Sequence, residues 1–104
     1  MSKKEIGKMK RRVKTLQRQL SELGPVMRGS VVLIGTRNKQ YYFSLNKDKK
    51  THLIYLGKKK VDLAREYSEN YRKLLAIVEE MTILNMKLIK EGALRQVESE
   101  QENL

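Results

Sequence analysis

The sequence predicts an α+β fold, with an N-terminal helix, a three-stranded antiparallel β-meander and a long C-terminal helix that pairs in coiled-coil fashion. Three observations predict it. Two separate stretches carry apolar residues at alternating spacings of three and four, the period of a helix face. Between them lie three short β-branched and aromatic runs, separated by segments rich in turn formers. Gly24-Pro25 stands directly after the first periodic stretch, where proline cannot continue a helix.

The first helix is expected over Lys3 to Leu23. Ile6, Met9, Val13, Leu16, Leu20 and Leu23 keep the heptad spacing without interruption. At ~1.5 Å per residue this helix is roughly 30 Å long, too short for a free-standing coiled coil, so a partner helix is required. The meander is expected from Val31–Ile34, Tyr41–Leu45 and Thr51–Leu56, with turns at Gly35–Gln40 and Asn46–Lys50. Period-two alternation puts Tyr41, Phe43 and Leu45 on one face and Tyr42 and Ser44 on the other. So small a sheet must pack on a helix or on a second copy of itself.

The last helix is expected from Val61 to about Gly92. Ala64, Tyr67, Tyr71, Leu74, Val78, Met81, Asn85 and Leu88 form its stripe, flanked by Leu75, Ile77, Leu84 and Ile89. That face is wider than a two-stranded seam requires, and more than the first helix can cover. It predicts a homodimer or higher homo-oligomer, assembled through Tyr67, Tyr71, Leu74, Ile77, Val78, Met81, Leu84, Asn85 and Leu88. Asn85 occupies an a-type position, where a polar residue can fix register, although it can equally face solvent at a loosened end. The expected organisation is a single helix–meander–helix domain over 1–94, followed by a polar, acidic tail over 95–104 that frays.

The chain has 104 residues, with 23 Lys+Arg against 12 Asp+Glu, for a formal charge of +11. The excess is concentrated: residues 1–60 hold 17 basic residues and three acidic ones, a net +14, whereas residues 61–104 hold six and nine, a net −3. Such asymmetry points to a basic binding portion joined to a portion with another task. Disulfides, thiolate metal sites and cysteine nucleophiles are excluded, because the chain has no cysteine. No run approaches the roughly 20 apolar residues of a membrane span. The basic N-terminus has no apolar stretch behind it, so it does not read as a secretory signal. A cytoplasmic protein, nucleoid-associated if it binds DNA, is the expectation.

Catalysis is not expected. The chain has one His and two Asp, and His52 lies in a predicted strand without an acidic neighbour. Glu79 and Glu80 are adjacent on a helix and point in different directions, so they do not make a catalytic pair. No glycine-rich phosphate loop occurs. No cofactor, metal or small-molecule substrate is expected.

The basic residues instead form clusters suited to phosphates: Lys8, Lys10, Arg11, Arg12 and Lys14 on the first helix; Arg28 after it; Arg37 and Lys39, with Lys47, Lys49 and Lys50, in the turns; and Lys58, Lys59 and Lys60 after the last strand. Arg28, Arg37, Asn38 and Gln40 are suited to base edges. Arg28-Gly29-Ser30 and Arg37-Asn38-Lys39-Gln40 are therefore the expected contact segments. Tyr41, Tyr42 and Tyr55 sit among these charges and can either stack on unpaired bases or pack on the helices. The leading expectation is a non-enzymatic nucleic-acid-binding protein, with DNA favoured over RNA and no membrane partner. The competing one is a coiled-coil assembly or adaptor protein that binds another protein.

Gly24-Pro-Val-Met-Arg-Gly-Ser-Val-Val32, Tyr41-Tyr-Phe-Ser-Leu45, Lys50-Thr51, Asn70-Tyr71-Arg-Lys-Leu-Leu75 and Leu84-Asn85 together resemble a family of small prokaryotic proteins of unknown function, frequently encoded by or near mobile elements. The resemblance covers roughly residues 20–90. Family members commonly carry a Cys-rich, metal-ligand-like insertion between the first two strands, and Gly35-Thr-Arg-Asn-Lys-Gln40 stands in its place here. The resemblance therefore implies DNA-related work but transfers no metal site and no residue role. The element order is also shared with chaperone subunits of the prefoldin kind, whose helices are much longer than this first helix.

Overall fold

A computed structural model describes residues 1–92, and the tail expected over 95–104 lies outside the described residues. The elements are α1 (Lys3–Glu22), β1 (Ser30–Ile34), β2 (Gln40–Lys47), β3 (Lys50–Tyr55) and α2 (Val61–Lys90), the expected α+β order. The chain divides into two compact units. One is Leu23–Leu75; the other is Met1–Glu22 with the chain from Ala76 on. No helix among the described residues is long and apolar enough to cross a membrane.

In the Leu23–Leu75 unit the strands form an antiparallel meander in the order β1-β2-β3. Val31 pairs with Phe43, and Phe43 with Ile54, so these three side chains share one face of the sheet. On that face Phe43, Leu56, Val61 and Ala64 form a buried cluster, with Met27, Val31 and Tyr41 packed against it. The first turns of α2 thus supply the cover that so small a sheet needs. Leu56 lies just past β3, yet its N–H donates to the Tyr41 carbonyl at 2.9 Å, which keeps its side chain in the core. Both β1 and β3 are edge strands, and every residue of β3 is exposed.

The first two strands run further than predicted, and β3 is shifted by one residue towards the N-terminus. The expected five-residue turn Asn46–Lys50 is closed by two residues only, Asp48 and Lys49, both with positive φ (55° and 62°), while Lys47 pairs with Lys50. That is the geometry of a type I′ hairpin turn, whose twist matches the flanking strands. Below it, the Thr51 hydroxyl donates to Asn46 Oδ1 at 2.9 Å.

The connection from α1 to β1 is strapped to α2 by three hydrogen bonds. Met27 N–H donates to the Tyr67 carbonyl at 3.0 Å, and Asn70 Nδ2 donates to the Pro25 carbonyl at 2.9 Å. The hydroxyl of buried Ser68 donates to the Gly29 carbonyl at 2.8 Å. Gly29 itself has φ +136°. A Cβ there would stand 2.5 Å from the Ser44 carbonyl oxygen and 2.8 Å from the Phe43 ring, so only glycine lets the chain pass this close to the core.

In the other unit, α1 starts at Ser2, whose Oγ accepts from the Glu5 N–H at 3.2 Å, as an N-cap does. Of its heptad residues, Leu16 is 1% exposed, whereas Ile6, Met9, Val13 and Leu20 are half-buried. In the α2 part of this unit Ile77 and Leu88 are buried. Arg12 pairs with Glu80, and the Met1 amino group with Glu91 at 3.7 Å. Residues early in α1 therefore meet residues late in α2, so the two helices run antiparallel. Gly92 ends α2 with φ +71°, its N–H donating to the Ile89 carbonyl at 3.0 Å, in the left-handed cap that glycine favours.

Candidate nucleic-acid interface

Antiparallel topology sorts the basic residues between Leu23 and Val61 onto the two ends of the sheet. The end of β1, the start of β2 and the end of β3 lie together, which brings Arg37, Asn38, Lys39 and Gln40 to the same end as Lys58, Lys59 and Lys60. The opposite end collects Arg28, Ser30, Lys47, Lys49 and Lys50. All of these are exposed except Ser30, which is half-buried. Between Leu23 and Val61 the only acidic residue is Asp48, set against nine Lys/Arg.

Local structure holds both ends in place. Arg28 Nη1 donates to the Asn46 carbonyl at 3.1 Å, which fixes the guanidinium beside the Asp48-Lys49 turn. At the other end Gly35 has φ +135°, and a Cβ on it would lie 2.5 Å from the Asn38 carbonyl oxygen. The loop carrying Arg37 and Lys39 is therefore folded tightly back on itself.

Between the two basic ends lies the outer face of the sheet, made by Val32, Ile34, Gln40, Tyr42, Ser44, Leu53 and Tyr55. Ile34 is 41%, Leu53 46% and Tyr55 58% exposed. Tyr42 and Tyr55 stand edge to face, ring centroids 5.6 Å apart, and the Tyr55 hydroxyl donates to Gln40 Oε1 at 3.2 Å. The three tyrosines that the sequence groups together are thus divided. Tyr42 and Tyr55 are on the outer face, whereas Tyr41 packs against the core with the Arg65 guanidinium 5.3 Å from its ring centre.

The basic residues of α1 belong to the other unit. Lys10, Arg11 and Lys14 are exposed there. Arg12 is engaged within its own unit, donating through Nε and Nη2 to the two Glu80 carboxylate oxygens at 2.6 and 2.9 Å. A bidentate guanidinium–carboxylate pair of this kind is specific in geometry, and any phosphate contact by Arg12 would compete with it. The hydrogen bond from Arg12 holds the Glu80 carboxyl below its ordinary value, with charge attraction adding to the effect and desolvation opposing it.

Because the folded value is the lower one, the pair's contribution is complete above the ordinary carboxylate range and is lost as pH falls through the lowered value. Helical circular dichroism of the full chain should therefore show an acid transition that 300 mM salt weakens and that Glu80→Gln flattens. An acid transition identical in Glu80→Gln would show that the pair does not stabilise the helices.

The expected oligomerisation residues fall in several environments. Ile77 and Leu88 are buried within their own unit, and Met81, Leu84 and Asn85 are half-buried there. Tyr67, Tyr71 and Leu74 are half-buried in the Leu23–Leu75 unit. Val78 alone of the set is exposed, at 47%. It shares a helix face with Thr82, Met86 and Ile89, and Met86 and Ile89 are each 65% exposed. The sequence leaves the exposed stripe of Val78, Met86 and Ile89 undistinguished, because a helix that is apolar on several sides does not say which side is covered.

Also missed were Ser68, Asn70 and the outer-face residues Val32, Ile34 and Leu53. Strand alternation could have found the last three. Compared with known protein families, curated proteins and solved structures, the chain matches none.

Proposed function

We infer that the protein binds nucleic acid, DNA in preference to RNA, and does so without catalysing a reaction. The observation that carries this reading is the gathering of nine Lys/Arg at the two ends of one three-stranded sheet with Asp48 as the sole acid among them. So much like charge repels itself and is relieved by a polyanion. Contacts would run mainly to phosphates, and Arg28, Arg37, Asn38 and Gln40 are the residues whose chemistry suits base edges. An assembly or adaptor role is the second reading, and the exposed Val78, Ile83, Met86 and Ile89 favour it. Self-association through these residues is compatible with either reading.

Fluorescence anisotropy of labelled duplex and single-stranded oligonucleotides from 50 to 300 mM salt tests the first reading. With about 6–10 phosphate contacts, affinity should fall roughly 10³–10⁵-fold between 50 and 200 mM. Replacing Lys58, Lys59 and Lys60 together by Ala should weaken binding equally across sequences. On duplex, the logarithmic salt slope should flatten by up to about 2.7, at ~0.9 per lost contact. Absence of binding at 50 mM salt, or an affinity indifferent to salt, would overturn the reading. A monomeric mass in light scattering would leave the second reading without its self-association.

A further inference from the structure

We propose that the outer face of the sheet is a stacking platform for single-stranded DNA, with Tyr55 and Tyr42 under the bases and the two basic ends holding the flanking phosphates. This deepens the nucleic-acid reading and rests on it. A duplex presents polar base edges in its grooves, whereas a single strand presents flat apolar base faces. The outer face complements the second. Its centre is a row running across all three strands, in which Val32 pairs with Tyr42 and Tyr42 with Tyr55. Leu53 and Ile34 extend the apolar surface on either side of that row. Tyr55, the most exposed of these at 58%, leaves a large part of its ring free to meet a base.

Gln40 Oε1 accepts from the Tyr55 hydroxyl and Asn46 Oδ1 from the Thr51 hydroxyl. Charge complementarity completes the argument. β2 is eight residues long, roughly 26 Å at ~3.3 Å per residue. That leaves room between the two cationic clusters for a few nucleotides whose bases lie against the sheet.

The test uses the full chain with fluorescein-labelled oligo(dT), oligo(rU) and a mixed-sequence duplex of equal length at 50 mM salt. Oligo(dT) should bind most tightly. Tyr55→Leu keeps an apolar side chain but removes the aromatic face, and should weaken oligo(dT) binding roughly five- to tenfold while changing duplex binding less than twofold. Tyr55→Phe should bind oligo(dT) within twofold of the parent protein. Unchanged oligo(dT) affinity in Tyr55→Leu, or tighter binding of duplex or oligo(rU) by the parent protein, would overturn the platform while leaving nucleic-acid binding standing. Failure of all three probes to bind would overturn the underlying reading instead.

Discussion

Gly29→Ala should lower the stability of the Leu23–Leu75 unit by roughly 3 kcal/mol, and its Tm by roughly 10–20 °C. Two costs combine. The first is conformational, because φ +136° is a backbone geometry that a side chain with a Cβ rarely adopts. The second is steric, because the new methyl would stand 2.5 Å from the Ser44 carbonyl oxygen and 2.8 Å from two carbons of the Phe43 ring. Neither neighbour can yield easily, since Ser44 is held in the central strand and Phe43 is 6% exposed in the core cluster. Any shift of Gly29 would also stretch the bond from Ser68, leaving a buried hydroxyl and carbonyl short of partners, at ~1–3 kcal/mol for an unsatisfied group. Gly92→Ala is the internal control. Its φ is +71° but nothing lies within 4 Å of the added carbon, so only the conformational cost of about 1 kcal/mol should remain. Equal destabilisation by the two variants, measured in urea melts followed by circular dichroism, would remove the close approach as the cause.

Leu16→Ala should be nearly as damaging in the other unit, at about 3 kcal/mol. Leu16 is the one fully buried large side chain among the described residues, at 1% exposure. Truncation removes its transfer energy and leaves a cavity that two antiparallel helices can close only in part. Backbone amides of α1 should then lose hydrogen-exchange protection, most steeply between Val13 and Leu20. Val13→Ala, at a half-buried heptad position, should cost less than half as much. Protection unchanged in Leu16→Ala would mean that this side chain does not hold α1 in place.

What the sequence revealed, and what it did not, follows from the range of each interaction. Helices and strands came through because periodicity is a local signal: α1 and α2 begin at the predicted residues Lys3 and Val61. The sequence draws the β2–β3 turn too long because Asp48-Lys49 has lysine where a type I′ turn usually has glycine. Lys49 accepts a left-handed backbone (φ 62°) without announcing it in residue type.

Long-range pairings leave no such trace. Ser68 and Asn70 look like ordinary polar residues of an amphipathic helix until their partners, Gly29 and Pro25, are brought beside them. Likewise, the clusters of lysine and arginine were visible in the chain, but their sorting onto opposite ends of the sheet depends on strand register. The engagement of Arg12 by Glu80 depends in the same way on two helices running in opposite directions.

The open edge of β3 ties solubility to ionic strength. An edge strand exposes a row of unpaired N–H and C=O groups, and Lys50-Thr51-His52-Leu53-Ile54-Tyr55 carries little of its own to prevent a neighbouring molecule from adding a strand there. Protection comes instead from mutual repulsion between molecules, supplied by Lys47, Lys49 and Lys50 at one end of the strand and Lys58, Lys59 and Lys60 at the other. That repulsion reaches about 10 Å at 0.1 M salt and only about 3 Å at 1 M. The cations at the two ends of the sheet would therefore also serve as gatekeepers against sheet-to-sheet aggregation, and any polyanion that neutralised their charge would have to take over that duty.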